Sequence, residues 1–162
     1  MKSTVAIYDS HWTALYAVEM LKNKDYPVNQ LSIMGMAKTA KDPKQVTSKK
    51  QLKNTSTSIG IVLGSTLGVL PGAGIFAVPG LGFIFGAGAI KKELAGYIVG
   101  LNGEGIVPIL KTIGIKNDTI HRYITHIKEG KFLVIAQGHE EEVENAMNIL
   151  SNSGNHLELT VY

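Results

Sequence analysis

Five histidines, a run of three glutamates and a glycine pattern with dinucleotide-fingerprint spacing are the residues from which this chain could assemble catalytic or metal chemistry. Each fails on spacing or context. His121 and His126 are five apart, which separates them around a helix instead of giving a metal the shared face of an i, i+4 pair, so they read as exposed polar residues. His11, beside Trp12, belongs to a helix start and not to a general base. Glu140, Glu141 and Glu142 fall in a first helical turn, where the helix dipole favours negative charge, and read as a solvated turn in preference to a cation site. Gly72-Ala73-Gly74-Ile75-Phe76-Ala77 spells G-x-G-x-x-A, but it lacks the strand before it that gives the motif its geometry, and prolines surround it. No G-x-x-x-x-G-K-[ST] phosphate loop occurs. The absence of cysteine excludes disulfides, thiolate nucleophiles and Cys-ligated metal centres together, and it suits a reducing compartment. The expectation is a protein without enzymatic activity, cofactor or metal. Met1-Lys2-Ser3 leads directly into the strand-like Thr4 to Tyr8 with no signal-peptide core, which predicts a cytoplasmic, non-secreted chain.

What remains distinctive is a surface. Asn54 to Ile90 contains no charged side chain and is closed off by Lys53 and Lys91. This stretch accounts for an overall charged fraction of 18%, low against a usual value of about 25%. Within it Gly60, Gly64, Gly68 and Gly72 recur every fourth residue, which on a helix makes one stripe without side chains. Glycine inside a helix costs roughly 1 kcal/mol relative to alanine, so the spacing predicts a close-packing seam that offsets the loss. Gly96 and Gly100 repeat the interval further on. Directly before the stretch, residues 38–53 hold six lysines against Asp42, a local charge of +5 within a whole-chain charge of +3. Lys49, Lys50 and Lys53 could attract anionic headgroups at about 1 kcal/mol each, or the run is a solvated linker. Without arginine or aromatic residues in the run, nucleic acid is not expected as a partner.

The elements around this surface follow from periodicity. Thr4 to Tyr8 predicts a strand, and Asp9 or Ser10 caps a helix to about Lys24 with Ala14, Ala17, Val18 and Leu21 on its buried face. Pro27 breaks it, and Val28 to Met36 predicts a second strand. The same order returns at the other end. Lys131 to Gln137 is strand-like, Val143, Ala146, Met147 and Leu150 mark a helix ended by Gly154, and His156 to Tyr162 alternates with Leu157, Leu159 and Val161 inward. Two strand–helix–strand units make an α+β fold, a ferredoxin-like split βαβ sandwich whose four-stranded antiparallel sheet has its first and third strands central.

Some ninety residues then separate the second and third strands, too many for a structureless loop. The expected insertion is a glycine-rich helical hairpin, with a first helix from about Thr55 to Leu70, a turn at Pro79, Gly80 and Gly82, and a second helix from about Phe83 to Leu101. Only the first arm approaches the roughly twenty apolar residues of a membrane span, so the hairpin is expected to be re-entrant, interfacial or buried in protein. Short helices are predicted over Ile106 to Ile113 and from Asn117 or Asp118 to Glu129. The chain divides accordingly into a first βαβ half (1–37), a basic linker (38–53), the insertion (54–116) and a helix with the second βαβ half (117–162).

Three stretches resemble the bacterial general stress or heat-induced stress proteins of the YflT-like kind. They are Ala14-Leu15-Tyr16-Ala17-Val18 through Leu31-Ser32-Ile33-Met34-Gly35, Leu67-Gly68-Val69-Leu70 through Ala77-Val78-Pro79-Gly80-Leu81-Gly82, and Gly114-Ile115-Lys116 to Tyr123 with Gly130-Lys131-Phe132-Leu133-Val134. The resemblance implies a stress-linked protein, intracellular or membrane-associated, without an established enzymatic mechanism. Joined to the glycine stripe, it leads to the expectation of a homo-oligomer that self-assembles or contacts an anionic membrane surface through a glycine-zipper hairpin. A ligand-binding or regulatory ferredoxin-like module and a pore of assembled hairpins are the competing expectations.

Overall fold

Phe132 to Ala136 are all fully buried, and an unbroken apolar run of this kind suits a strand covered on both faces. In the computed structural model, which describes residues 1–37, 70, 73–78, 80–90 and 105–162, that strand lies inside a sheet with a helical layer on each side. The strands are β1 (Lys2–Tyr8), β2 (Leu31–Met36), β3 (Ala73–Val78), β4 (Gly82–Gly88), β5 (Phe132–Gly138) and β6 (Glu158–Val161). Their spatial order is β3-β4-β2-β5-β1-β6, and all neighbours are antiparallel. Among β1, β2, β5 and β6, the first and third in sequence are the inner pair, in register Val5↔Ile135.

Helix α1 (His11–Asn23) begins where the Ser10 hydroxyl accepts from the Thr13 N–H at 3.2 Å. It packs Ala14, Leu15, Val18 and Leu21 on one sheet face together with Ala6, Ile33, Val134 and, from α4 (Glu140–Ser153), Ala146 and Leu150. The other face carries α2 (Val107–Ile113) and α3 (Asn117–Lys128), whose Ile109, Leu110, Ile120, Tyr123 and Ile127 meet Val5, Ile7, Met34, Leu133 and Ile135. Gly114, at φ 103°, ends α2 in the left-handed conformation that glycine adopts without penalty. The alternation of Val5 and Ile7 with Ala6 and Tyr8 therefore serves two cores, one on each side of β1.

Three expectations need correction. The sheet has six strands and not four, because the insertion contributes β3 and β4. Phe83 to Gly88, expected to open the second helix, is strand, since aromatic and β-branched residues alternating with glycine suit a pleated surface better than a helix. Of the inward residues predicted for the last strand only Leu159 packs on the core; Leu157, just before β6, is 53% and Val161, at its end, 39% exposed on an edge strand of the sheet. The letters of the dinucleotide pattern in residues 73–77 likewise lie within β3 and not at a strand-to-helix turn.

Strand β4 is fixed to β2 by a close backbone approach. A Cβ on Gly88 would sit 2.1 Å from the Leu31 carbonyl oxygen, and Gly88 has φ 82°. The Ala89 N–H donates to that same carbonyl at 3.0 Å, and the Ile90 N–H to the Ser32 hydroxyl at 2.9 Å. Because the obstructing atom is backbone, no side chain can yield. Gly88→Ala is expected to destabilise by about 2–4 kcal/mol through overlap and left-handed strain. Urea denaturation checks this; an unchanged midpoint would mean that β4 does not dock on β2 in this register.

Candidate interaction surface

Of the residues expected to turn a helical hairpin, Gly80 lies in the link between β3 and β4 and Gly82 is the first residue of β4. Gly80 and Gly82 have φ values of 82° and 91°, and the Leu81 N–H donates to the Val78 carbonyl at 3.0 Å. Pro79 lies outside the described residues, as do Gly60, Gly64, Gly68, Gly72, Gly96 and Gly100 and the basic Lys49, Lys50 and Lys53. Leu70, at the end of the first expected helix, is described and is buried in the core beneath α1.

The β3–β4 hairpin has two unlike faces. Toward α2, Val78 and Ile84 are buried, with Phe76 and Leu81 packed against them beside Met36, Ile90 and Ile106. On the α1 side, Ile75 is 64% and Phe83 63% exposed, and Ala77 is exposed between them. Cross-strand pairing sets Ile75 opposite Phe85 and Ala77 opposite Phe83, so these side chains are contiguous. Among the described residues, helical cover on this face stops at β4. Phe85 is the last ring held, edge-on to His11 at 5.1 Å, and His11 also lies 5.1 Å from the ring of Phe132. Phe132 in turn fills the space over Gly35, where a Cβ would meet the ring at 2.4 Å. His11, the first residue of α1, is thus a buried part of the packing that ties α1 to the hairpin.

Sequence reasoning missed Ile75 and Phe83. The signal that finds them is the two-residue alternation of Ile75 with Ala77 and of Phe83 with Phe85, read as strand and placed at the edge of the helical cover.

The ionisable groups are arranged elsewhere as local pairs. Arg122 donates to both Glu158 carboxylate oxygens, at 2.6 and 3.1 Å, and His126 lies 3.7 Å from Glu158, while His121 is exposed. Lys131 and Lys2 hold Glu129 and Glu140 below the usual carboxylate range through hydrogen bonds, at exposed positions where salt screens them. Glu140, Glu141 and Glu142 lie in the first turn of α4, and Glu142 also accepts the His139 N–H at 2.8 Å, a capping contact the sequence reading did not include. Among the described residues no group of three or more His, Asp or Glu could hold a metal ion, and no helix is long and apolar enough to cross a membrane. Compared with family models, curated proteins and solved structures, the chain matches none of them.

Three phenols are held in their neutral form. Burial pushes Tyr8 up to about 12, against a weak opposing pull from Ser153, whose hydroxyl falls short of hydrogen-bond geometry with it. Burial, then the Glu142 charge, pushes Tyr26 to about 12 while its hydroxyl donates to the Gln137 carbonyl at 2.8 Å. Burial and the 2.8 Å contact with the Tyr162 hydroxyl raise Tyr123 further. Since the folded values lie above the ordinary 10, this contribution to stability is complete below pH 10 and is lost as pH rises through 12. Absorbance titration at alkaline pH should show that these three of the six tyrosines ionise only as the fold is lost. Full ionisation near pH 10 with circular dichroism unchanged would contradict the burial.

Proposed function

We propose that this chain is a non-enzymatic, stress-associated protein that self-assembles, or contacts an anionic membrane surface, through its uncharged glycine-rich stretch. The observation that carries the reading is Asn54 to Ile90, uncharged throughout and bounded by Lys53 and Lys91. Its described part supports the reading by exposing Ile75 and Phe83 side by side, an apolar surface of the kind that marks an interaction site. The scaffold is a ferredoxin-like split βαβ sandwich in which β2-β5-β1-β6 is the four-stranded sheet and the β3–β4 hairpin extends it on the β2 side. The glycines from Gly60 to Gly72 form a packing seam, and Lys49, Lys50 and Lys53 supply charge toward anionic headgroups. The protein is cytoplasmic, with a membrane-associated fraction.

The seam is tested by Gly64→Leu combined with Gly68→Leu. Leucine favours helix over glycine by several tenths of a kcal/mol or more per residue, so glycines that are merely tolerated would yield a stabilised protein. At a close-packed seam the added bulk costs about 1–3 kcal/mol per site. Light scattering and flotation with anionic vesicles are expected to show that the double variant loses assembly or lipid contact. Assembly and lipid contact unchanged, together with a raised melting temperature, would refute the seam.

A further inference from the structure

The two edges of the sheet differ in kind. β6 is four residues long and carries Glu158, tied to Arg122. A short, charged edge is protected against pairing with another strand. β3 is six residues long, Ala73-Gly74-Ile75-Phe76-Ala77-Val78, with no charge, no proline and no bulge against β4 in the register from Ala73↔Ala87 to Val78↔Gly82. Among the described residues no strand pairs with its outer side. Among the described residues it therefore presents an unpaired row of backbone donors and acceptors on an apolar strand, with Ile75 and Phe83 exposed alongside.

We propose that the outer edge of β3 pairs antiparallel with the same edge of a second copy of this chain about a two-fold axis, joining two six-stranded sheets. The inference rests on the self-association reading and assigns one of its contacts. Three features favour the identical strand as partner. Two-fold pairing brings each strand against itself, which like charges oppose; the chain is uncharged from Asn54 to Ile90, so that repulsion is absent. Centred on Ile75, the pairing sets Ile75 against its mate and small Gly74 opposite large Phe76, with no two bulky rings facing. The exposed Ile75 and Ala77 then lie along the join on the α1 side, where their flanks meet those of the mate strand beside the new backbone hydrogen bonds.

The test uses the full chain. The double variant Ile75→Lys with Ala77→Lys places charge on exposed positions, so the fold is expected to persist by circular dichroism and thermal unfolding. Its mass by light scattering should fall at least twofold, toward the 17.4 kDa subunit. Because the chain has no cysteine, Ile75→Cys introduces one thiol, and mild oxidation should convert most of it to disulfide-linked dimer. Tyr16→Cys, exposed on α1, should stay largely uncrosslinked. An assembly that survives the lysine pair but dissociates in the Gly64/Gly68 leucine variant would overturn the β3 contact and leave self-association standing. A wild-type chain that is monomeric at all concentrations would overturn both.

Discussion

A strand with no face to water must be covered twice, and the arrangement of this molecule follows from that condition on β5. Leu133 and Ile135 point to one side of the sheet, Phe132, Val134 and Ala136 to the other, and all five are without solvent contact. At roughly 1.5–3 kcal/mol for each large side chain fully buried, an uncovered face would forfeit several such contributions at once. The α1 and α4 pair meets the requirement on one side. The α2 and α3 pair, supplied by the connection before β5, meets it on the other. That connection is therefore a structural layer, and the same constraint explains why Ile109, Tyr123 and Ile127 are among the most buried residues although they belong to neither strand–helix–strand unit.

Where the cover ends, the chemistry of the surface changes. α1 reaches as far as Phe85, through the stack in which His11 lies between Phe85 and Phe132. Ile75 on β3, directly opposite Phe85, and Phe83, two residues before Phe85 on β4, project into solvent. Among the described residues the hairpin is anchored on one face and uncovered on the other, and it adds to the sheet a margin with one side in the core.

The two outer units were legible in the sequence because their periodicities admit one interpretation. Val143, Ala146, Met147 and Leu150 fit only a helix, and Phe132 to Ala136 only a buried strand between turn signals. The hairpin was not legible, for a reason specific to glycine. An interval of four is close to one helical turn and is also two full strand repeats, so Gly82 and Gly86 satisfy both patterns, and glycine has no side chain to break the tie. Gly80 and Gly82 have left-handed backbone, which favours glycine whichever elements a link joins, so these two positions do not distinguish a helical hairpin from a strand hairpin. The two-residue spacing of Ile75 with Ala77 and of Phe83 with Phe85 places them on one strand face, but their exposure depends on how far α1 extends across the sheet.

The sheet also pairs the chain's beginning with its end. Val5 lies against Ile135 and Thr160, and the Ser3 and Tyr162 backbones exchange hydrogen bonds of 2.9 and 2.7 Å. Both neighbours of β1 lie far after it in sequence, so during synthesis β1 precedes its two partner strands, and the glycine-rich segment is made in between. Contacts of such long sequence separation close late and slowly, and the exposed interval coincides with the most apolar part of the nascent chain. The delay in pairing β1 is thus set by the order in which the strands occur along the chain and not by the stability of the finished sheet.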